Sequence, residues 1–299
     1  MLALALADSL RYVSAIDVPV GRFLGSGGFS DVFQIMLDTQ PRALKRLRCT
    51  GRGSWSHAIE DLKQEVRILV DLPSHANIVE LIAVSEKFWQ SPERGFIVLE
   101  LVEETLYERL GRWRSQRSMI PRLSLFRTCQ EKRRQEQRDR LRQSTVGVAD
   151  ALLFLHNRGI VYRDLKPANI GFAGDTVKLM DFGLARSVKH QNDGLLIGSA
   201  GTARYMAPEC ASGIAYGFPI DIYSFALLLW ETATLDYPFA SASNAIELRK
   251  LYIRSNVRPP IRRVVSKPLQ DLIQASWDAN PDIRPSAALL RLQLNESLS

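Results

Sequence analysis

The strongest constraint on the fold is a change in residue pattern about a third of the way along the chain. Residues 16–102 hold short runs that alternate or carry β-branched side chains, separated by Gly and Pro turns, which is typical of strands. Residues 57–69 interrupt these runs with apolar side chains at helical spacing. Those apolar positions are Ile59, Leu62, Val66 and Leu69. The first third of the chain is therefore predicted to form a mostly antiparallel sheet with one packed helix.

The remainder of the chain, from about residue 141, is predicted to be mainly helical. Residues 143–157 and 221–232 are strongly apolar and long enough for buried helices, and Pro and Gly clusters separate the helical stretches. Strands followed by helices indicate the α+β class with two lobes. We expect a lead-in at residues 1–15, a small β-rich N-terminal lobe at 16–102 and a larger, mainly α C-terminal lobe at 103–294.

A glycine-rich segment at residues 24–32, LGSGGFSDV, lies between two strand-like runs. Gly25, Gly27 and Gly28 let the backbone approach phosphate oxygens without Cβ clashes. No Lys-Ser or Lys-Thr pair follows, which excludes the P-loop pattern, and the strand that follows excludes the dinucleotide fingerprint. The segment resembles the glycine-rich loop of protein kinases, with Ser30 at the position where a third glycine often lies.

Lys45 lies in the middle of an apolar strand-like run, RALKRL at residues 42–47. A buried lysine is unfavourable unless an anion meets it, and the alternative is an edge-strand lysine that faces water. Glu65 follows twenty residues later, on the same predicted helix face as Leu62 and Leu69. An ion pair between Lys45 and Glu65 would hold the ammonium group against the α- and β-phosphates of ATP.

Two polar segments carry the most specific pattern in the chain. Residues 161–172 read VYRDLKPANIGF and residues 178–185 read KLMDFGLA, so that Asp-x-Lys-x-x-Asn is followed twelve residues later by Asp-Phe-Gly. This arrangement closely resembles the catalytic and metal-binding segments of protein kinases.

The resemblance implies a role for each of the polar side chains in these segments. Asp164 would accept and orient the proton of the substrate hydroxyl, and Lys166 would neutralise charge on the transferring γ-phosphoryl group. Asn169 and Asp181 would hold Mg²⁺, which bridges phosphate oxygens. The implied cofactors are therefore ATP and Mg²⁺, and the implied acceptor is a protein substrate.

Further motifs extend the resemblance over residues 16–294, nearly the whole chain, and imply a bilobal protein-kinase fold. Glu209 belongs to an APE sequence that closes the activation segment 26 residues after Asp181. Arg284 is the family's usual ion-pair partner for that glutamate, and Asp221 resembles the buried aspartate that anchors the catalytic loop. The implied activation-segment residues are Asp181, Phe182, Gly183, Ser199, Thr202 and Glu209.

The same resemblance implies where the nucleotide binds. Leu99 is the implied gatekeeper, and the hinge from Glu100 to Val102 is where the adenine should form hydrogen bonds. The residues implied for ATP binding are Leu24, Gly25, Ser26, Gly27, Gly28, Phe29, Ser30, Val32, Ala43, Lys45, Leu99, Glu100 and Val102.

Two residues indicate which hydroxyls are phosphorylated. Lys166 in DLKPAN has the form found in Ser/Thr kinases, and Thr202 in GTARYMAPE matches the residue that bonds the catalytic Asp and Lys in those enzymes. GTARYMAPE and LLLWE also resemble the tyrosine-kinase-like branch of Ser/Thr kinases. We therefore expect a Ser/Thr kinase that acts in signalling.

Arg163, which precedes the expected catalytic aspartate, bears on regulation. In the family such an arginine often binds a phosphate on the activation loop. The alternative is an arginine that only packs the loop. Ser187, Ser199 and Thr202 are the available hydroxyls. Because Thr202 is expected to be occupied internally, Ser199 is the hypothesised activating phosphosite.

Two positions depart from the family pattern. Tyr162 replaces the usual histidine of the triplet before the catalytic aspartate, where an aromatic side chain is expected to pack under Phe182. Gly171 replaces a larger apolar residue that usually supports the adenine ring. Nucleotide binding is therefore expected to weaken unless Phe172 or a neighbouring strand residue fills the gap. Neither departure removes a reacting group.

The net charge of +7 is concentrated in one segment of the chain. Residues 109–142 contain 12 Lys or Arg and 3 Asp or Glu, whereas the rest contains 27 and 29. The segment, expected as a basic insertion at about 111–140, is either disordered or an extended start to the following helix. Its charge belongs either to a solvated surface or to a docking site for an acidic partner, a membrane surface or nucleic acid. Nucleic acid is not the expected partner.

The cysteines and the start of the chain indicate the compartment. Cys49, Cys129 and Cys210 are scattered in no metal-ligand spacing, which is typical of a reducing compartment. Residues 1–10 lack a basic n-region and are expected to be a short lead-in. No run approaches the roughly 18 apolar residues that span a bilayer. We expect a cytoplasmic protein without a transmembrane segment, with the nucleus as the alternative location.

Two other functions stay open at this point. A pseudokinase, or scaffold module, would keep the fold and bind nucleotide or partners without turnover. Pseudokinases typically lose one or more of the key residues, and all of them are present here. A protein that docks RNA or membrane through its basic segment, with incidental kinase activity, is the third candidate. The key residues in that comparison are Lys45, Asp164, Asn169 and Asp181.

Overall fold

The computed structural model of the chain describes residues 10–14, 18–19, 21–48, 55–92, 94–118, 127–189, 194–254 and 256–299. These residues fall into two compact units. The first takes its residues from Met1–Glu103 and Met180–Ala185, and the second from Glu104–Leu179 and Arg186–Ser299. The first unit is rich in strands and the second in helices, so the predicted α+β class is confirmed.

A six-stranded sheet forms most of the first unit. The strands are Tyr12–Val13 (β1), Phe23–Ser26 (β2), Ser30–Leu37 (β3), Gln40–Leu47 (β4), Leu81–Ser85 (β5) and Phe96–Glu100 (β6). They lie in the order β1-β5-β6-β4-β3-β2. β1 and β5 are parallel, and the other neighbours are antiparallel. One face of the sheet buries Ile35, Leu44 and Val98 in an apolar cluster, which fixes the register because a one-residue slip would expose these side chains.

Among the described residues, the first unit holds one helix, α1 (Trp55–Asp71). Leu62, Val66 and Leu69 are buried, as the helical spacing predicts, and Ile59 is half-buried. Glu65 lies on the same face and is only 1% exposed. An acidic side chain is thus held inside an apolar stripe, where it needs a cation as partner.

The second unit is mainly helical. Its helices are Leu106–Ser118 (α2), Arg127–His156 (α3), Pro208–Ala211 (α4), Pro219–Thr234 (α5), Ala245–Arg249 (α6), Lys267–Ser276 (α7) and Ala287–Leu298 (α8). Its strands are Glu104–Thr105 (β7), Ile160–Val161 (β8), Ile170–Ala173 (β9), Thr176–Leu179 (β10) and Arg186–Ser187 (β11). They form one sheet in the order β10-β9-β7 and one pair, β11-β8.

Helix α5 is the centre of the second unit. Every residue from Ile220 to Thr234 is buried, and the helix contacts α3 and α7. A helix that is apolar all round has no solvent face and must lie in the core. Polar side chains on this helix, such as Asp221 and Glu231, are therefore held at fixed positions inside the unit.

The basic segment differs from the simplest expectation. Helix α3 begins at Arg127, well before the predicted start near residue 141, and so incorporates much of the basic sequence. Of the two alternatives, an extended basic start to the helix is therefore correct for residues 127–140. Glu, Gln, Lys and Arg favour helix, and Gln137 anchors this part by donating to the Ala233 carbonyl at 2.7 Å. Met119, Pro121 and Phe126, which the sequence analysis placed in this segment, lie outside the described residues.

A membrane-spanning helix is not found in the described part of the chain, where no helix is both long and apolar enough.

A buried ion pair joins the short helix α4 to the last part of the second unit. The Arg284 guanidinium donates to both carboxylate oxygens of Glu209, at 2.6 and 2.9 Å. The Arg284 side chain is 0% exposed and that of Glu209 is 9% exposed. Arg284 also donates to the carbonyls of Pro219 and Asp278, at 3.0 and 2.9 Å. One arginine thus links α4, the start of α5 and the segment before α8.

The substitution Arg284→Met should destabilise the fold, because it leaves the Glu209 carboxylate buried without its cation. Breaking a buried pair in this way costs about 3–5 kcal/mol. Urea unfolding measures the loss. Lys267→Ala is the control, since Lys267 and Asp271 form an exposed pair on α7 with side chains 72% and 56% exposed, and such pairs contribute less than about 1 kcal/mol. Equal unfolding midpoints for Arg284→Met and the wild type would contradict this prediction.

Candidate active site

The glycine-rich turn connects β2 to β3 in the first unit. The amide of Gly27 donates to the Ser30 carbonyl at 2.7 Å, which closes the turn. A Cβ added to Gly25 or Gly28 would have no atom of the described residues within 4 Å. Packing within the described chain therefore does not require glycine at these two positions. Close approach by a ligand, such as a phosphate group, is a physical reason for glycine there.

Lys45 lies on β4, between β3 and β6, where it pairs with Val32 on one side and Ile97 on the other. Its ammonium nitrogen Nζ is 2.6 Å from Oε2 of Glu65 and 3.0 Å from Oδ1 of Asp181. Burial alone would lower the pKa of the Lys45 ammonium, but the charges of Asp181 and Glu65 outweigh burial and raise this pKa. The lysine is therefore a fixed cation between two carboxylates.

The Asp-Phe-Gly segment packs on α1 within the first unit. The side-chain amide of Gln64 donates to the Ala185 carbonyl at 3.1 Å. A Cβ on Gly183 would come within 3.1 Å of the Asp61 carbonyl oxygen and Cβ, so this position leaves little room for a side chain. Phe182 is fully buried, whereas the Asp181 side chain is 49% exposed. The segment is thus anchored on the helix while its carboxylate stays accessible.

Leu99 and Glu100, which are expected to contact the adenine, end strand β6 in the middle of the same sheet. Leu99 on β6 pairs with Ala43 on β4, and both are 7% exposed. The amide of Glu100 donates to the Glu80 carbonyl at 2.9 Å, and Val102 follows as a half-buried residue. Leu24, on the edge strand β2, is 40% exposed, and Phe29, in the turn between β2 and β3, is 51% exposed.

The second unit holds the expected catalytic aspartate in a network of hydrogen bonds. The main-chain amide and the hydroxyl of Thr202 donate to Oδ1 of Asp164, at 2.9 and 2.8 Å. Nζ of Lys166 is 2.6 Å from Oδ2 of Asp164 and donates to the Thr202 hydroxyl at 2.8 Å. The carboxylate is therefore oriented from both oxygens, and a lysine cation lies next to it.

Asn169, in the 3-10 turn Pro167–Asn169, completes this network. Its side-chain nitrogen donates to the carbonyl and to Oδ2 of Asp164, both at 2.9 Å. These bonds fix the amide, so its oxygen points away from Asp164. An amide oxygen on Asn169 and an accessible carboxylate on Asp181 are both hard oxygen ligands, which suit Mg²⁺.

Asp221 on α5 anchors the backbone that carries the catalytic aspartate. Its carboxylate accepts hydrogen bonds from the amides of Tyr162 and Arg163, both at 2.8 Å. Arg163 has a φ of 76°, a left-handed conformation that costs about 1–3 kcal/mol in a residue other than glycine. The two bonds from a buried carboxylate hold this turn in place. Tyr162 is itself fully buried, and its packing under Phe182 stays a prediction.

Two residues that support this anchor were not predicted from the sequence. Nε2 of His156, at the end of α3, lies 2.9 Å from Oδ2 of Asp221. Gly201 has a φ of 104°, and a Cβ there would lie 2.4 Å from the Arg163 carbonyl oxygen. A polar residue ending an apolar helix was the available signal for His156. The glycine directly before Thr202 was the available signal for Gly201.

The remaining predicted residues of the second unit are placed as follows. The Ser199 side chain is exposed, and its hydroxyl accepts from Nη2 of Arg249 at 3.3 Å. Gly171 lies on β9 opposite Thr105 and Lys178. Phe172 is buried with the Arg109 guanidinium 3.4 Å from its ring centroid. Adjacent side chains on a strand point to opposite faces, so Phe172 does not fill the space that Gly171 leaves.

These contacts form two groups, one in each unit. Lys45, Glu65 and Asp181 come together in the first unit, and Asp164, Lys166, Asn169 and Thr202 come together in the second. The first group presents a fixed cation and a half-exposed carboxylate, in the unit that also holds the glycine-rich turn. The second presents an oriented carboxylate with a lysine beside it. Such groups suit phosphate binding and activation of a hydroxyl, respectively.

Comparison with known proteins identifies the class. A family model described as the protein kinase domain matches residues 19–293, so the chain belongs to the protein kinase domain family. This confirms the predicted family and its fold.

The relatives narrow the class further. The chain is 30% identical to the proto-oncogene serine/threonine-protein kinase mos of Sus scrofa, over 91% of this chain and 78% of that protein. It is 31% identical to the serine/threonine-protein kinase-transforming protein mos of Moloney murine sarcoma virus (strain ts110), over 91% and 75%. A probable serine/threonine-protein kinase of Dictyostelium discoideum is 29% identical over 90% of this chain, which spans only 15% of that protein. The prediction of a protein serine/threonine kinase is thereby confirmed, and the tyrosine-kinase-like branch stays a prediction.

The substitution Thr202→Val should slow phosphoryl transfer with little effect on ATP binding. It removes the hydroxyl that donates to Asp164 and accepts from Lys166, while the main-chain amide bond remains. Hydrogen bonds to charged groups contribute about 1.5–3 kcal/mol, so we expect kcat to fall about 10- to 100-fold. Steady-state kinetics with ATP as the varied substrate measures this. Thr202→Ser keeps the hydroxyl and should retain most of the rate; equal losses in both variants would contradict the assigned role.

Proposed function

We propose that the chain is a catalytically competent kinase that transfers the γ-phosphoryl group of ATP, with Mg²⁺, to serine or threonine hydroxyls of proteins. The observation that carries the proposal is the network around Asp164, in which Thr202 and Lys166 orient a carboxylate that is only 8% exposed. The same network joins the lysine and the threonine that the sequence associated with Ser/Thr specificity.

On the nucleotide side, the ammonium of Lys45 supplies positive charge for the α- and β-phosphates. Glu65 holds that ammonium from a buried position, so little reorganisation is needed when an anion arrives. The glycine-rich turn would approach the phosphates with main-chain N–H groups. When bound, Mg²⁺ offsets the negative charge that develops on the phosphate oxygens. Asn169 and Asp181 would hold it through their oxygen atoms.

On the acceptor side, Asp164 would accept the proton of the substrate hydroxyl and orient its oxygen toward the phosphorus. Thr202 fixes the carboxylate so that Oδ1 is held by two donors, and Lys166 stabilises charge on the group being transferred. Both effects place groups before the reaction begins, which is the main contribution that proteins make to phosphoryl transfer.

A cytoplasmic location, with the nucleus as the alternative, belongs to the same proposal. It is supported by the scattered cysteines in the sequence, and a role in signalling is supported by the family.

The substitution Asp164→Asn should abolish phosphoryl transfer to near background, because the amide cannot accept the hydroxyl proton. Transfer from labelled ATP to a generic basic protein with Mg²⁺ measures activity, and phosphoamino acid analysis distinguishes Ser or Thr from Tyr. Asp175→Asn is the matched control, since Asp175 is an exposed aspartate between β9 and β10. It should keep wild-type activity.

Nucleotide binding to the wild type is measured alongside this assay. Binding without transfer to any hydroxyl would favour the pseudokinase alternative. Label on tyrosine alone would contradict the Ser/Thr assignment.

We further propose that phosphorylation of Ser199 activates the enzyme. Its exposed hydroxyl already lies 3.3 Å from the Arg249 guanidinium, so a phosphate there would meet a cation. Nε of Arg163 is buried without a hydrogen-bond partner among the described residues, so this arginine retains capacity for a new acceptor.

The substitution Ser199→Ala should therefore lower kinase activity relative to that of the wild-type enzyme purified in its active form. Ser187→Ala is the control, because Ser187 lies within strand β11 and is not expected to be modified. Mass spectrometry of the active protein identifies the modified residues. Fully active protein with an unmodified Ser199 would show that this hydroxyl is not the switch.

A further inference from the structure

A cavity of about 420 Å³ opens on the second unit, apart from the residues assigned to catalysis. It lies among α2, the end of α5 with the loop that follows, Leu251 and residues 257–263. Most of its lining is apolar, with Trp230, Leu235 and Phe239 buried and Tyr237 and Val257 44% and 40% exposed. A dry cavity of roughly 150 Å³ already accepts a benzene ring, so there is room here for a large apolar side chain.

The mouth of the cavity carries excess positive charge. Arg114, Arg258 and Arg263 are among the lining residues; Arg114 is paired with the buried carboxylate of Glu231, which leaves Arg258 and Arg263 with a single lining carboxylate, Asp236. Asp236 is shared, since Arg263 donates to it at 2.7 Å and Arg117 lies 3.8 Å away. Two exposed guanidinium groups on one carboxylate leave a net positive rim, which attracts acidic groups.

The wall of the cavity is held in a fixed conformation. Arg114 donates to the buried carboxylate of Glu231 at 2.5 Å and to the Leu235 carbonyl at 2.9 Å. This places its guanidinium 3.9 Å from the ring centroid of Tyr237. Leu235 and Phe239 have φ values of 58° and 53°, a conformation that persists only where the surroundings enforce it. Because the wall is already fixed, less conformational entropy is lost when a ligand binds to it.

We propose that this cavity is a docking site for an acidic segment of a partner protein that inserts one large apolar side chain. The apolar lining would receive the side chain, and the rim arginines Arg117 and Arg263 would pair with flanking carboxylates. The site would therefore recruit a partner independently of the reaction at Asp164.

The geometry favours a protein segment over nucleic acid. Nucleic-acid binding without sequence preference relies on aromatic faces for base stacking, and one face of Tyr237 is covered by Arg114. The volume and apolar lining of the cavity match the anchor pockets of protein interfaces, where a few buried side chains carry most of the binding energy.

Fluorescence anisotropy with a synthetic peptide tests the proposal. The fluorescein-labelled peptide carries one phenylalanine flanked by two glutamates on each side and contains no Ser, Thr or Tyr, so it is no phosphoryl acceptor. We expect it to bind the full chain without ATP. Replacing the phenylalanine by alanine should weaken binding by about tenfold or more, because the buried apolar area is lost. Raising the salt concentration should weaken it further.

Two double variants locate the binding site. Val257→Asp with Arg263→Glu changes the cavity and its rim, and should reduce the affinity by at least about tenfold. Val265→Asp with Arg262→Glu makes the same changes nearby, at exposed residues that are not among those lining the cavity. This control should bind the peptide as the wild type does. Arg263→Glu alone serves if the first double variant folds poorly, as judged by circular dichroism.

The other outcomes would overturn the proposal. Equal binding by both double variants, or no preference for phenylalanine over alanine, would show that the cavity is not the anchor. Concentration-dependent dimers that only the cavity variant loses, without peptide binding, would assign the surface to a second copy of this chain. A single-stranded RNA that binds through Arg263 in place of the peptide would assign it to nucleic acid. Binding of the peptide requires no phosphoryl transfer, so these results would be unaffected if the catalytic role proposed for Asp164 were wrong.

Discussion

The carboxylate of Asp221 is the interaction on which the catalytic half of the second unit depends. It is 1% exposed on a helix with no solvent face, and it accepts hydrogen bonds from two consecutive main-chain amides, those of Tyr162 and Arg163. A buried carboxylate is unfavourable unless its oxygens are satisfied. Here the bonds that satisfy it also hold a left-handed residue directly before Asp164. The hydrogen bonds that offset the burial of the Asp221 carboxylate therefore also position the backbone that carries the Asp164 carboxylate.

The first unit also holds a charged group inside the fold, but here the central group is a cation and its partners are anions. Lys45 is a cation in the middle of a sheet, and two carboxylates on separate segments, Glu65 and Asp181, surround its ammonium group. The Glu65 side chain is buried, whereas that of Asp181 is half exposed. The lysine is thus held by one partner while the other keeps oxygen atoms accessible for a metal or a phosphate-bound ion. Each unit contributes one preorganised group of charges.

Much of this arrangement could be predicted from the sequence, for identifiable reasons. The spacing of Leu62, Val66 and Leu69 fixed which face of α1 is buried, and Glu65 lies on that face. Linear motifs likewise indicated Asp164, Lys166 and Thr202, because their chemistry requires those residue types in that order. An extended basic start to α3 was one of two alternatives, but its first residue, Arg127, could not be predicted, since apolar periodicity gives no signal in a polar stretch of helix-favouring residues.

Other features depend on contacts between residues far apart in sequence, which no periodic pattern encodes. His156 meets Asp221 across 65 positions, and Arg114 meets Glu231 across 117. The excluded volume at Gly201 is of the same kind, because it depends on where the Arg163 carbonyl lies in space. Phe172 does not replace the side chain missing at Gly171, because adjacent side chains on a strand point to opposite faces, and the Phe172 ring lies against Arg109.

The tight contact at Gly201 has a mechanical consequence. The space between this residue and the Arg163 carbonyl admits a hydrogen atom but no methyl group, so the two backbones are in steric contact. Thr202, the next residue, holds the carboxylate of Asp164. Any displacement of the activation segment toward the catalytic turn must therefore push that turn, and any withdrawal releases the hydroxyl from the carboxylate. Movement of the activation segment is therefore coupled to movement of the catalytic turn through contact between the two main chains, without any change in charge.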